Sequence, residues 1–397
     1  MSGFRVPHFD HRANYLRDKE AIDAAIQGVL ARGQPVMGPE VARFERAFAT
    51  LCGVRHAVGV MSGTAALLLA LRALGVGPGD DVVTVANSDI PTTHAVLHAG
   101  ARPVYADVDP DTFDISPRSL AAALTPRTKA VLPVHLYGVP AEMDAVRELA
   151  RQRGAFVVED AALATGARYH GRPAGSLGDA GAFSTAPGKI LGGVGSGGVV
   201  VTDDEEVHER LNRLRYYGRE RSPYPSDEEA SSDAAPRPHS TVEVGYNERL
   251  DTIDAAVLLV RLRRLRGDLE VRRLHRERYA ARFRGTAVRV QQATPGSEPS
   301  WRVVVVRVPD RDRVYAQLRR AGIEVTLPYL PANHLDGSTR DLGYRRGDLP
   351  VTEAVCDTLL ALPSHPFLSQ DQVDEVAETV LAALGRGAVA VEDPEFR

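Results

Sequence analysis

Residues 155–202 read AFVVEDAALATGARYHGRPAGSLGDAGAFSTAPGKILGGVGSGGVVVT. This stretch holds three apolar runs of strand length: Ala155–Glu159, Ala180–Ser184 and Gly198–Thr202. Short apolar runs between turn-forming residues are typical of strands buried in a sheet. Asp160 follows the first run, and Lys189 follows the second. Because ligands of open α/β sheets gather at the carboxyl ends of the strands, the stretch predicts a candidate site as well as a fold.

The same pattern continues toward the start of the chain. Four more candidate strands precede this stretch: Ala57–Val60, Asp81–Val85, Pro103–Asp107 and Ala130–His135. Segments with helical periodicity lie between several of them: Ala65–Leu74, Ile90–His98 and Met143–Arg153. Strands that alternate with helices predict an α/β fold, with a mostly parallel sheet covered by helices on both faces.

The pattern changes in the last third of the chain. Residues 219–240 are rich in Pro, Ser, Asp and Glu and show no periodicity, which predicts a mobile surface loop. We expect a long charged helix over Thr252–Phe283, followed by a smaller α+β domain. Its predicted elements are the strands Val303–Val308 and Glu324–Leu327 and the helices Arg311–Ala321 and Gln370–Leu384. The predicted domains are therefore residues 1–255 and residues 256–397.

Composition excludes several classes of protein. The chain has 397 residues, of which 44% are hydrophobic and 25% charged, as in ordinary globular proteins. A formal net charge of −4 leaves no basic surplus for binding nucleic acid. Cys52 and Cys356 form neither a metal-ligand spacing nor a disulfide framework. With no bilayer-length apolar run and no signal-peptide pattern at the start, we expect a cytoplasmic protein without a metal site or membrane contact.

Lys189 is the most informative single residue. A lysine is normally a solvated surface charge, but this one stands among small and apolar residues, just before the glycine-rich run Gly192–Gly198. We expect these glycines to let the backbone fold closely around a ligand. An amine in such a place is a candidate for Schiff-base chemistry.

Two further signals accompany the lysine. Ser62, Gly63 and Thr64 stand between a predicted strand and a predicted helix. Alone they fit a simple helix cap, but the free N–H groups of a first helical turn also suit a phosphate. Asp160 alone fits an exposed strand end equally well; alternatively, its carboxylate faces a cationic ring nitrogen. Together with Lys189, in this order along the chain, the three signals describe a site for pyridoxal phosphate (PLP).

Several segments resemble the DegT/DnrJ/StrS sugar aminotransferases, which are fold-type I PLP enzymes. The matching segments are Gly59–Leu67 (GVMSGTAAL), Glu159–Ala162 (EDAA), Gly175–Ser184 (GSLGDAGAFS), Gly245–Asp251 (GYNERLD), Leu30–Phe44, Gly75–Asp80 and Leu342–Pro366. They cover nearly the whole chain in the family's order. The resemblance implies the three-layer fold of such transferases, with a smaller C-terminal α+β domain.

The resemblance also implies roles for individual residues around the cofactor. Lys189 is the Schiff-base lysine and proton shuttle, and Asp160 pairs with the pyridine nitrogen. Ser184 binds the phosphate together with the backbone of Gly63 and Thr64. The implied reaction has two halves: L-glutamate gives up its amino group and leaves as a 2-oxo acid, and a keto sugar then accepts that group.

The resemblance places four more residues beside the cofactor, two of which differ from the family's usual residue. Ala162 packs against one face of the cofactor ring, and Asn247 in the GYNxR motif reaches the phosphate of the neighbouring subunit's cofactor. The protein is therefore expected to be a homodimer with shared active sites. The family usually has Gln or His where this chain has Leu163. It usually has a ring-stacking aromatic residue where the chain has Asp89.

The substrate is the least determined part of the prediction. We expect a nucleotide-linked keto-deoxysugar, aminated in the biosynthesis of a secondary metabolite or surface sugar. His239, Arg249 and His334 are candidate contacts to the sugar or diphosphate, although structural roles fit them as well. The alternative within the family is a keto-cyclitol or a sugar without a nucleotide. PLP-dependent sugar dehydration is disfavoured, because the related dehydratases carry His at the position of Lys189.

Overall fold

The computed structural model describes residues 3–220 and 240–385. Its strands are β1 His56–Val60, β2 Asp81–Val85, β3 Arg102–Ala106, β4 Thr128–Val131, β5 Phe156–Asp160, β6 Arg168–Tyr169, β7 Arg172–Pro173, β8 Ala180–Ser184, β9 Gly198–Thr202, β10 Arg289–Val290, β11 Ser297–Glu298, β12 Val304–Arg307 and β13 Leu359–Leu362. Seven of them form the central sheet, in the order β1-β9-β8-β5-β4-β2-β3. Neighbours from β8 to β3 are parallel, and β9 runs antiparallel to both β8 and β1.

Helices cover both faces of this sheet. The α-helices of the described residues are α1 His11–Leu16, α2 Lys19–Arg32, α3 Pro39–Cys52, α4 Gly63–Ala73, α5 Ile90–His98, α6 Pro117–Ala123, α7 Met143–Arg153, α8 Glu205–Leu214, α9 Thr252–Leu262, α10 Leu265–Phe283, α11 Arg311–Arg320, α12 Pro350–Thr358 and α13 Gln370–Leu384. Val82 packs in one core cluster with α4 and α5, whereas its neighbour Val83 packs in a second cluster with α7. Successive strand residues face opposite sides, so burial on both faces explains the apolar runs of the sequence.

The predicted α/β fold with a mostly parallel sheet is confirmed. Each of the seven candidate strands overlaps a strand of the central sheet, although β4 ends at Val131 and not at His135, and the helices predicted between them are α4, α5 and α7. A second, three-stranded sheet, in the order β10-β12-β13, lies in the C-terminal part of the chain. The predicted domain boundary after residue 255 falls inside α9.

Two predicted elements are wrong. The single helix Thr252–Phe283 is broken into α9 and α10, because α9 packs against α2 and α3 whereas α10 packs against α13. The predicted strand Glu324–Leu327 is only a pair of isolated bridges, formed with the chain start and with β13. There, the Glu324 N–H donates to Val6 O over 2.8 Å.

Two other predictions lie mostly or wholly outside the described residues. They concern the loop 219–240, of which only residues 219, 220 and 240 are described, and the candidate contact His239. Cys52 and Cys356 are both free and buried. In the two described ranges, every helix is too short or too polar to cross a bilayer.

Candidate active site

A pocket of about 250 Å³ opens at the carboxyl ends of the central strands. It lies at the edge of the sheet where α/β proteins bind their ligands. The pocket brings together eight residues that the sequence singled out: Gly63, Thr64, Asp89, Asp160, Ala162, Leu163, Ser184 and Lys189. They come from four segments of the chain, and each segment follows a strand end.

The N-terminus of α4 forms one end of the pocket. Ser62 caps the helix, its hydroxyl accepting a hydrogen bond from the Ala65 N–H over 3.0 Å. A β-carbon on Gly63 would lie 2.8 Å from Ser184 Cβ, so only glycine lets the helix start this close to β8. The first N–H groups of a helix have no intrahelical partner, and the helix dipole adds partial positive charge. With the Ser184 hydroxyl beside them, they form an anion-binding end.

Asp160 is buried at the end of β5, with 4% of its surface exposed. Its Oδ2 accepts a hydrogen bond from Thr92 Oγ1 over 2.8 Å, and its Oδ1 accepts one from the Ala162 N–H over 3.2 Å. Burial raises the pKa of Asp160, while these two donors and the charge of Lys189 oppose the rise. Among the residues described, none puts a cationic nitrogen within 4 Å of this carboxylate.

The support beneath Asp160 was not visible in the sequence. Thr92 lies in the first turn of α5, and its hydroxyl lies 2.7 Å from Ser88 Oγ. Because Thr92 donates its proton to Asp160, Ser88 is the donor in the Ser88–Thr92 bond. The resulting chain of hydroxyls fixes the orientation of the carboxylate. No motif marked Thr92, since its role depends on where α5 lies relative to Asp160 at the end of β5.

The neighbouring carboxylate, Glu159, has a different role. It is fully buried and accepts hydrogen bonds from the backbone N–H groups of Gly175, Leu177 and Gly178. Its Oε2 also lies 2.8 Å from His135 Nε2. Since His135 Nδ1 accepts from the Ala141 N–H, Nε2 carries the proton and donates to Glu159. Glu159 therefore holds the turn before β8 in place.

Lys189 lies in the turn after β8 and lines the pocket. The turn requires Gly188 at φ +86°, and the Lys189 N–H donates to Ala186 O over 3.1 Å. Burial lowers the pKa of the Lys189 amine, and the positive charge of Arg302 lowers it further, whereas Asp160 and Asp89 oppose these effects. The amine is therefore neutral more often than an exposed lysine at the same pH.

The glycine-rich run contacts α9 as well as the pocket, whereas the sequence predicted close contact with a ligand alone. Asp254 on α9 accepts hydrogen bonds from the N–H groups of Val194 and Gly195, over 2.8 and 2.9 Å. A β-carbon on Gly193 would lie 2.6 Å from Asp254 Oδ1, so this glycine is needed for the contact with α9. Only Ser196 and Gly197 of the run line the pocket.

The pocket does not include the predicted contacts Asn247, Arg249 and His334. Arg249 donates two hydrogen bonds to Asn247 Oδ1, over 3.1 and 2.8 Å, and its guanidinium lies 4.9 Å from the Tyr216 ring centre. His334 is buried, with Nε2 3.0 Å from a carboxylate oxygen of Glu353. His334 therefore packs against Glu353 and does not line the pocket.

The sequence analysis also missed an aromatic residue that lines the pocket. Tyr329, from the C-terminal part of the chain, lines the pocket and stacks on Tyr137 with ring centres 5.6 Å apart and planes at 17°. Asp89, the residue in the usual aromatic position, is exposed and also lines the pocket. Tyr329 could not be assigned from the sequence because 140 residues separate it from Lys189 along the chain (329 − 189 = 140).

Known proteins are similar to this chain in both sequence and fold. The DegT/DnrJ/EryC1/StrS aminotransferase family matches residues 16–381. The dTDP-3-amino-3,4,6-trideoxy-alpha-D-glucose transaminase of Micromonospora megalomicea subsp. nigra is 40% identical over 373 residues, which are 92% of this chain and 95% of that protein.

Solved structures agree with the sequence match. DesV of S. venezuelae, solved in complex with a ketimine intermediate, has a TM-score of 0.90 at 40% identity, covering 96% of this chain and 99% of DesV. NtdA of Bacillus subtilis, solved with its bound cofactor PMP, has a TM-score of 0.82 at 28% identity, covering 93% and 82% of the two chains. With both the sequence and the fold shared over nearly its whole length, the chain is an aminotransferase and belongs to the DegT/DnrJ/EryC1/StrS family.

Proposed function

We propose that this protein is a PLP-dependent aminotransferase that converts the keto group of a nucleotide-linked keto-deoxysugar to an amine, with L-glutamate as the donor. The observation that carries the proposal is the single pocket in which Lys189, Asp160 and the N-terminus of α4 converge. A relative named for a dTDP-linked amino sugar supports the nucleotide-linked substrate class. Biosynthesis of a secondary metabolite or surface sugar is the proposed setting.

The donor set of the pocket fits PLP. The phosphate matches the anion-binding end, with the backbone of Gly63 and Thr64 and the hydroxyl of Ser184. The protonated ring nitrogen matches Asp160, a buried carboxylate without a cation within 4 Å among the described residues. The aldehyde matches the amine of Lys189. When bound, PLP supplies an electron sink for the carbon that loses a proton.

Lys189 is the proposed proton carrier. A general base must be unprotonated when it accepts a proton, and the lowered pKa of Lys189 favours the neutral amine. Its Nζ would take the proton from the donor's α-carbon, hold it as an ammonium and release it to the carbon of the bound cofactor that comes to carry the amino group, before hydrolysis frees the 2-oxo acid. In the second half of the reaction, the same Nζ works in the opposite direction on the keto sugar.

Asp160 is the proposed electrostatic anchor and must stay ionised throughout. Burial works against ionisation, but the hydroxyl of Thr92 and the N–H of Ala162 both bond to the charged form. A ring N–H⁺ beside the carboxylate would lower the pKa of Asp160 further. The chain from Ser88 through Thr92 holds the carboxylate in one orientation, so little reorganisation is needed when the cofactor binds.

We also propose that the protein works as a homodimer in which Asn247 reaches the partner's cofactor phosphate. The location of Asn247 outside its own subunit's pocket supports a role across an interface. Arg249 bonds to the Asn247 carbonyl oxygen, which leaves the amide N–H₂ as the group that can donate to a phosphate.

The decisive experiment has two steps. The purified protein is loaded with PLP, and its visible absorption is followed while L-glutamate is added. We expect the PLP band to bleach as 2-oxoglutarate is released. The aminated enzyme is then given a panel of nucleotide-linked keto sugars, keto-cyclitols and free keto sugars, with mass detection of the amine. A protein that binds no PLP contradicts the proposal, and amination of the cyclitol alone favours the alternative substrate class.

A further inference from the structure

Two carboxylates line the pocket, and their surroundings differ. Asp160 is 4% exposed and is bonded to Thr92 and Ala162. Asp89, which directly precedes α5, is exposed. Most of the other residues that line the pocket are buried or half-buried, so Asp89 belongs to the part of the wall that solvent and an entering substrate can reach.

The side chain of Asp89 is not used by the fold. Its carboxylate forms no hydrogen bond and no ion pair with any described residue, although its backbone oxygen accepts a hydrogen bond from the Thr92 N–H over 3.1 Å. An aspartate that precedes a helix often caps it by accepting an N–H bond, but the Asp89 side chain accepts none. The charge therefore remains available to a molecule that enters the pocket.

The charge of Asp89 acts on the reacting part of the pocket. Burial lowers the pKa of the Lys189 amine, and Asp89 opposes this effect. Burial raises the pKa of the Tyr329 hydroxyl, and Asp89 raises it further. Both side chains line the pocket, so a ligand beside them also lies in the field of this carboxylate. Arg302, the positive charge that acts on Lys189, does not line the pocket.

We propose that Asp89 makes the enzyme selective for keto sugars without a negative charge on the ring, and that it excludes keto uronates. The inference rests on the proposed function, because it assumes that the keto carbon reacts at Lys189. The other ring carbons then lie within the width of one sugar ring of that position. A carboxylate accepts hydrogen bonds from ring hydroxyls, whereas it repels a second carboxylate on the same ring.

Selection by charge distinguishes classes of substrate that Lys189 and Asp160 do not. Keto-deoxysugars and keto-cyclitols carry hydroxyl or methyl groups around the ring, so both are compatible with Asp89. A keto uronate carries a carboxylate there and would be repelled. L-Glutamate is also negatively charged, but it enters in the first half-reaction. The second half-reaction alone therefore shows how the enzyme selects its keto sugar.

The test compares two nucleotide-linked keto sugars that differ in charge but hardly in shape, a keto uronate and its uronamide. Each is given to protein loaded with pyridoxamine phosphate, so that only the second half-reaction is measured. We expect wild type to prefer the uronamide roughly 10- to 100-fold in kcat/KM, because two like charges a few ångströms apart repel each other near a protein surface. Asp89→Asn keeps the shape of the side chain and should reduce this preference to about threefold or less.

Further measurements separate charge from shape. Asp89→Arg should invert the preference, and added salt should weaken the preference of wild type, because Asp89 is exposed. Calorimetry with the unreactive alcohols of both sugars should give the same order in Kd, and this readout decides if the uronamide reacts too slowly to measure. Asp341→Asn is the matched control: it removes an exposed carboxylate outside the pocket and should keep the wild-type preference.

Several outcomes would overturn the proposal. One is a wild-type enzyme that binds and uses the uronate as well as the uronamide. Another is an Asp89→Asn variant that retains the full wild-type preference, since a different group would then reject the carboxylate. If Asp89→Asn holds less cofactor, the preference still decides, because both sugars are compared on the same loaded protein. A wild-type enzyme that aminates no keto sugar, charged or neutral, would instead contradict the proposed function itself.

Discussion

On one side of the pocket, formed by Ser88, Thr92, Asp160 and Ala162, the polar groups bond to one another before any ligand is present. Elsewhere in the pocket, the amine of Lys189 has no hydrogen-bond partner among the described residues. We call these the Asp160 side and the Lys189 side. The first is rigid and suits a permanent cofactor. The second keeps its amine available for the aldehyde of the cofactor and for proton transfer.

Loss of the amine on the Lys189 side should have the largest effect. Lys189→Ala removes the proposed proton carrier, and we expect the half-reaction with L-glutamate to slow at least roughly 10³-fold. PLP should still bind, because the anion-binding end and Asp160 remain. Single-turnover absorption measures the rate, with Lys129→Ala as the control, a lysine that lies over Phe156. Full activity in Lys189→Ala would contradict the proposed role of Lys189 as proton carrier and the distinction between the two sides of the pocket.

Neutralising the Asp160 side should come next. Asp160→Asn keeps the shape of the side chain but loses the charge, so the same half-reaction should slow roughly 100-fold while Tm stays near wild type. Its neighbour provides the contrast. Glu159→Gln should lower the free energy of unfolding by about 2 kcal/mol, since an amide N–H₂ would face backbone donors in a buried site. Similar melting curves for the two variants would contradict the separate roles.

A subunit-mixing experiment asks whether the anion-binding end of the pocket is completed by the partner. Asn247→Ala should weaken PLP binding roughly 10-fold, as expected when one hydrogen bond to a charged group is lost. Mixed dimers of Asn247→Ala and Lys189→Ala should then contain one site with both residues intact. Recovery of PLP affinity and activity in the mixture supports the shared site. Activity from a stable monomer would refute it.

Thr92 tests whether the internal bonds of the Asp160 side matter for the reaction. Thr92→Val removes the hydroxyl that donates to Asp160, so the pKa of Asp160 should rise and its ionised fraction should fall. We expect a decrease in kcat of roughly 10-fold. Thr93→Val is the matched control, because its buried hydroxyl bonds to Tyr105 and lies outside the pocket. Equal losses in the two variants would indicate a general packing effect.

The smallest predicted effect is on the titration of Lys189 in the cofactor-free protein. Burial is the main cause of its lowered pKa and Arg302 the second, so Arg302→Gln should move the pKa upward. The neutral amine would then appear only at higher pH. Arg302→Lys should leave the pKa closer to the wild-type value, since a positive charge remains. The pH dependence of Lys189 modification by an amine-reactive reagent measures this shift, and a downward shift would contradict the assignment.

The sequence was most informative for strands that are buried on both faces of the sheet. Strands covered on both faces leave apolar runs that can be recognised one at a time, and polar residues after such runs mark the pocket. Lys189, Asp160 and Ser184 were predictable in this way. Thr92 and Tyr329 were not, because each reaches the pocket through packing between distant segments. The break between α9 and α10 was also hidden, since it depends on which helices each one contacts.

The first residues of the chain form part of the surroundings of Arg302. Val6 pairs with Ile323, and the His8 N–H donates to Glu324 across a sequence separation of 316 residues. Phe9, between these contacts and α1, provides the ring beside the guanidinium. During synthesis, the start of the chain leaves the ribosome long before its partners exist. The surroundings of Arg302 are therefore completed only after the C-terminal part has been made, even where the central sheet has already folded.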